Sequence, residues 1–202
     1  MSNILNSIIK TVKEKYIFII YFFLAILLIL IIFQYYFYQK QNNIMHTSVK
    51  FDETLNITNT SSFISQMQEI SKEKNIYGIF ASLEIIKNDI KNSNYDDAYK
   101  KYEQLLNKKN IDKNYKSIIS IHAAYNLIEY LSKEKIIDLI NNINNDDVSF
   151  KGYKNEILFL LALKENNKTD IKILSEQIMN DALISTSIKE RVKKLNEFNK
   201  YQ

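Results

Sequence analysis

Residues 16–39 read YIFIIYFFLAILLILIIFQYYFYQ and carry no charged side chain. Within them, 17–33 is apolar apart from the Tyr21 hydroxyl. A helix of roughly 20 residues crosses a hydrocarbon core about 30 Å thick, and this run is long enough. A cleaved signal sequence has an apolar core of about 7–15 residues followed by a small-x-small site. Here the run is longer and leaves through Gln34, Tyr35, Tyr36, Phe37 and Tyr38. A soluble core helix does not need an apolar surface on every side for five turns. Residues 16–38 are therefore expected to be one retained transmembrane helix.

Lys10, Lys13 and Lys15 crowd its N-terminal side, whereas Lys40 stands alone on the other. Positive flanks stay cytoplasmic, so residues 1–15 are expected to form a cytoplasmic tail and the remainder to lie across the membrane. Lys13 and Lys15 mark one interface; Tyr35, Tyr36 and Tyr38 form an aromatic belt at the other. The span holds no glycine and only Ala25 as a small residue, a poor surface for close helix pairing. It reads as an anchor. Residues 39–58 are a juxtamembrane helix or stalk, and 59–202 form the domain.

That domain is expected to be all-α. The 202-residue chain has no proline and two glycines, Gly78 and Gly152; helices lose most from these two residue types. Tyr77, Phe80, Ala81 and Ile85 fall on one helical face, as do Tyr95, Ala98, Tyr99, Tyr102, Leu105 and Leu106. Lys91-Asn92-Ser93-Asn94 turns the chain between them. Further helices are expected at about 115–131, 134–143, 153–164, 169–180 and 184–199, with polar breaks at 107–114, 144–149 and 165–168. Asp112, Ser132 and Thr169 are expected N-caps.

Phe63, Ala98, Ile136 and Ile171 align as one position of a repeat spaced 35, 38 and 35 residues. Four residues on come Met67, Tyr102, Ile140 and Ser175; seven on come Ile70, Leu105, Ile143 and Ile178. Only Ser175 breaks the apolar pattern. Tetratricopeptide hairpins repeat every 34 residues. The stretch Tyr95-Asp-Asp-Ala98-Tyr-Lys-Lys-Tyr102-Glu-Gln-Leu105 resembles their second helix, with Ala98, Tyr102 and Leu105 as packing positions. Ile86 and Asn110 depart from the small residue and terminal proline of that pattern, which favours a degenerate, tetratricopeptide-like array.

The order of basic N-terminus, single span and helices near 77–86, 95–106, 112–129, 150–163 and 188–198 resembles the bacterial family of ancillary SecYEG translocon subunits. That family's domain is shared with cell division coordinator proteins. The resemblance implies a single-pass inner-membrane protein with a periplasmic interaction domain, linking the translocon to envelope chaperones. Coordination of cell division or cell-wall synthesis is the alternative. It implies no catalytic, cofactor or metal-binding residue.

Chemistry is expected to be absent on other grounds too. There is no cysteine, and the two histidines are His46 and His122. His122 lies in Ile121-His-Ala-Ala-Tyr and is expected to pack within an apolar helix; neither histidine stands in a metal-ligand or nucleophile motif. Asp96 and Asp97 begin a helix, where carboxylates favour the positive dipole end. Asn144-Asn-Asp-Asp147 lacks the spacing of a calcium loop. Residues 40–202 carry 24 basic and 22 acidic side chains, not the concentrated basic face that nucleic acid requires. No enzyme activity, cofactor, metal, nucleic acid or small-molecule substrate is expected. Protein partners are, and Tyr77, Tyr95, Tyr99, Tyr115 and Tyr125 are their candidate surface, with Tyr130 and Tyr153 nearby in sequence.

Overall fold

The computed structural model describes residues 2–144 and 146–199. Asn145, within the polar loop considered for calcium, and the chain's last three residues lie outside them. All regular structure among the described residues is helical. The chain divides into two compact units between Thr58 and Asn59.

The first unit is α1, Ser2–Leu55, a helix without a break. It contains the apolar run, and among the described residues it is the one helix long and apolar enough to cross a membrane. Lys13, Lys15, Tyr35, Tyr36 and Tyr38 are exposed along it. Helix continues through residues 40–55, roughly 24 Å at the ordinary rise. Thr47 Oγ1 and Thr54 Oγ1 donate to Asn43 O and Lys50 O one turn back, both at 2.7 Å. In this way the β-branched hydroxyls are satisfied within the helix.

The second unit holds α2 (Thr60–Ile70), α3 (Ile76–Lys91), α4 (Tyr95–Leu106), α5 (Lys113–Leu127), α6 (Lys133–Ile140), α7 (Val148–Lys164), α8 (Lys168–Asn180) and α9 (Thr186–Asn199). Short polar connections fold most helices onto the next, and α7 returns to pack on α5 rather than α6. α2 packs on α3, α3 on α4, α4 on α5, α5 on α6, α7 on α8 and α8 on α9; α7 also packs on α5 and α9. The repeat register found in the sequence follows the core, with Phe63 at its start only half-buried. Met67, Ile70, Ala98, Tyr102, Leu105, Ile136, Ile140, Ile143, Ile171 and Ile178 are all buried. Ser175, the exception in the pattern, is buried too, and its Oγ accepts from Asn196 Nδ2 at 3.2 Å.

Capping chemistry sets the boundaries, and it corrects several sequence expectations. Asp112 caps α5 through Asn114 N at 2.8 Å, as expected. Thr169 is not a cap. Asn166 takes a left-handed φ of 53°, which ends α7, and the Asn167 side chain accepts from Asp170 N at 3.2 Å to start α8 at Lys168. Asp147 accepts from Ser149 N at 2.9 Å, so α7 begins at Val148 and not near 153. α5 ends at Leu127 and α6 at Ile140, several residues before the expected 131 and 143. Ser132 occupies the N-cap position of α6 without a side-chain bond to the backbone. In the Lys91-Asn92-Ser93-Asn94 turn, Ser93 adopts φ 62° and Asn94 N donates back to Asp89 O at 2.8 Å.

Both glycines sit where backbone or side chains come close. A Cβ on Gly78 would lie 2.1 Å from Glu73 O, a backbone atom; one on Gly152 would meet the flexible Ile188 Cδ1 at 2.9 Å. Gly78→Ala should therefore lower stability by about 2 kcal/mol or more, as steric strain at a fixed backbone does. Gly152→Ala should cost clearly less. Equal losses in urea unfolding of the two variants would contradict this difference.

Candidate interaction surface

Helices α3, α5 and α7 are related by a 38-residue shift. Ala81, Ile119 and Ile157 are buried at one equivalent position; Ile85, Ala123 and Leu161 at a second; Ile86, Ala124 and Ala162 at a third. The same shift relates Tyr77, Tyr115 and Tyr153. Helical geometry then puts those tyrosines at corresponding places on α3, α5 and α7, one turn before the first buried position of each. Tyr77 is half-buried with Phe80 edge-to-face at 6.0 Å, whereas Tyr115 and Tyr153 are 48% and 39% exposed.

From α5 onward three stripes, each at spacing i, i+4, i+7, lie side by side: Ile118–His122–Tyr125 on α5, Glu156–Leu160–Leu163 on α7, and Arg191–Leu195–Phe198 on α9. Lys164 Nζ donates to Ile128 O and Leu131 O, both at 2.7 Å, and so joins the C-terminal ends of α7 and α5. Ile188 approaches Gly152 and fixes α9 against α7.

A buried carboxylate joins all three helices. Glu156 is 2% exposed. Its Oε2 accepts from Tyr125 Oη at 2.5 Å and from Arg191 Nη2 at 2.7 Å, while Oε1 accepts from Arg191 Nε at 2.7 Å. An ionised carboxylate out of water is tolerated only when paired and hydrogen-bonded, and the Arg fork supplies both in one plane. The bond to Glu156 raises the guanidinium pKa. Burial first, and then the bond to Glu156, hold the Tyr125 phenol above its ordinary range.

Where the individual tyrosines sit divides the expected surface. Tyr115 is exposed and Tyr77 partly so, whereas Tyr125 is spent on Glu156. Tyr99 is 7% exposed and its hydroxyl donates to Glu103 Oε1 at 3.1 Å; burial, with that bond second, pushes its pKa up to about 12. Tyr95 stacks face to face on Tyr130 of the α5–α6 connection, with centroids 3.7 Å apart. Lys135 sits over the Tyr99 ring and pairs with Asp96 at 2.5 Å, so Tyr95 and Tyr99 serve the junction of α4 with α5 and α6. Ala98, Tyr102 and Leu105 are core.

His122 has the satisfied packing role expected of it, although its outer edge is exposed: its Nδ1 meets the buried Tyr102 Oη at 2.7 Å and the two rings meet edge-on at 5.9 Å. Desolvation lowers its pKa against the opposing pull of Glu84. Sequence reading missed the Glu156–Arg191 pair and the stripes. Two signals were present: Arg191 is the one arginine in a lysine-rich chain, and Tyr77, Tyr115 and Tyr153 recur at equal spacing.

Among the described residues no group of three or more histidine and carboxylate side chains is placed to hold a metal ion. Comparison with known protein families, with curated proteins and with solved structures finds no match for this chain.

Arg191→Ala strands a buried carboxylate and should cost roughly 2 to 3 kcal/mol, the loss typical of a broken buried pair reduced for the half-open arginine. The triple change Tyr125→Phe, Glu156→Leu, Arg191→Leu should recover most of it, since no buried polar group is then left unpaired. Chemical denaturation checks both, and a triple variant weaker than Arg191→Ala would contradict the reading. Because the folded state lowers the His122 pKa, its contribution is complete above the unfolded value near 6.5. It should fade as pH falls through the lower folded value. His122→Gln should flatten the stability profile below about pH 6.5; an unchanged profile would count against it.

Proposed function

We propose that this chain is a membrane-anchored, tetratricopeptide-like interaction module. Its domain lies on the periplasmic side of a bacterial inner membrane and holds partner proteins there. The observation that carries the reading is the shared face of α5, α7 and α9, where Tyr115, Ile118, Tyr153, Leu195 and Phe198 are exposed around a fixed polar centre. Apolar side chains gathered on adjoining elements, rather than scattered singly, characterise interaction sites. Stacked helical hairpins present such a surface to extended partners.

Two further features support the arrangement. The recurring burial register is the one a hairpin array requires, and an apolar run in α1 preceded on the same helix by Lys10, Lys13 and Lys15 fits an anchor with its short tail inside. Tethering raises the effective concentration of the domain for neighbours in the same membrane. Components of the protein-export translocon and envelope chaperones are the partners this reading favours.

Protease added to intact spheroplasts should digest the domain, and survival of the domain until lysis would reverse the orientation. A photoreactive residue at Tyr115 should crosslink translocon or chaperone components in those membranes, whereas one at Lys172, exposed on α8, should not. Equal adducts from both positions would contradict a role for this face.

A further inference from the structure

We infer that the cleft between α2, α3 and α4 takes up one leucine-like side chain, with the uncharged peptide group beside it, from a partner polypeptide. The site lies on other helices than the α5–α7–α9 face and goes beyond the reading given for that face. Its volume is about 230 Å³. An apolar cavity of about 150 Å³ admits benzene, whereas pockets for cofactors and drug-sized ligands begin at roughly 300 Å³. The space suits a single aliphatic side chain and its amide.

Ile85 and Leu105 form the floor, at 7% and 2% exposure. Gln68 and Gln104 stand exposed at the rim, and their side-chain amides have no hydrogen-bond partner among the described residues. An amide of this kind both donates and accepts, which is what a peptide group requires. No lining side chain is acidic, and both lining ammoniums already have partners. Lys101 pairs with Asp89 and ties α4 to α3, while Lys108 Nζ donates to Ser71 O at 3.3 Å and ties the end of α4 to the end of α2. The walls are thus fixed before a ligand arrives, which lowers the ordering cost of binding.

The repeat shows what belongs in this space. The shift of 35 residues from α2 to α4 carries Ser71 to Leu106. The shift of 38 residues from α4 to α6 carries Lys101 to Leu139, and the same shift from α3 to α5 carries Ser82 to Ser120. One hairpin later the equivalent place is closed, with Leu106 3% exposed, Leu139 1% and Ser120 0%. Ser71, Lys101 and Ser82 remain partly exposed. Ile85 in place of Ala123 refills part of the volume, and the rest is the cleft. The array closes the later position with its own leucines and leaves the earlier one to a side chain from outside.

The chain contains no cysteine, so Gln104→Cys puts a single thiol at the rim and leaves the Gln68 amide in place. The full chain in nanodiscs is equilibrated, under excess 2-mercaptoethanol, with small disulfides of cysteamine acylated by N-acetyl-leucine, N-acetyl-serine, N-acetyl-glutamate or N-acetyl-lysine. Each mixed disulfide formed on the protein releases one small thiol, so the adduct population at equilibrium reports non-covalent affinity. By intact mass, the leucine adduct should exceed each of the others at least about tenfold, and Lys172→Cys on α8 should show no preference. Adding Ser71→Leu, the residue of the next repeat, should abolish the preference, whereas Ser71→Ala should keep it. Equal capture of the four compounds, stronger capture of glutamate or lysine, or a leucine preference that survives Ser71→Leu with helical content unchanged would each overturn the inference. Crosslinking at Tyr115 reads the other face, so the module reading stands or falls separately.

Discussion

A single carboxylate without access to water constrains the second half of the domain. Glu156 has lost nearly all its hydration, and an unpaired charge there would cost several kcal/mol. Its partners come from two other helices, Tyr125 on α5 and Arg191 on α9, so none of the three helices can shift alone without exposing or stranding a charge. Apolar packing of Ile157, Phe159, Ile188 and Val192 supplies most of the burial, but such contacts tolerate sliding. The forked ion pair does not, because its two bonds require one plane and one distance.

The remaining polar contacts have a different character. Lys101 with Asp89 ties α4 to α3, Lys135 with Asp96 ties α6 to α4, and Lys133 with Glu165 ties α6 to the end of α7, all near the surface. Water screens such pairs, and each contributes little. Lys164 is more telling, since it reaches the terminal carbonyls of the neighbouring stack at Ile128 and Leu131, groups that the end of a helix leaves unsatisfied.

Much of this was legible in the sequence because helices advertise their buried side through periodicity. The Phe63, Ala98, Ile136 and Ile171 register marked the core of α2, α4, α6 and α8, and the uncharged run at residues 16–39 marked the apolar helix. Asp112 was legible as a cap, because a carboxylate before an amphipathic run has few other roles. Thr169 misled because Asn166 and Asn167 compete for the same terminus, and an asparagine in the left-handed region ends one helix just before another begins. Tyrosine was the least readable residue. It has an apolar ring and a polar tip, so sequence alone could not separate Tyr115 on the surface from Tyr125, committed to a carboxylate 31 residues away. Nor could it separate Tyr99, folded onto Glu103, from Tyr95, stacked on Tyr130. Long-range partners decide these cases, and pattern within one helix does not carry them.

Hydrogen–deuterium exchange on the full chain in nanodiscs, comparing the natural protein with Arg191→Ala, tests the role of the buried carboxylate most directly. Loss of the clamp should speed exchange in α9 and in the first turns of α7, while α3 and α4, whose packing does not involve Glu156, keep their protection. Unchanged exchange in α9, or an equal loss across α3 to α9, would show that the pair does not hold these helices in register.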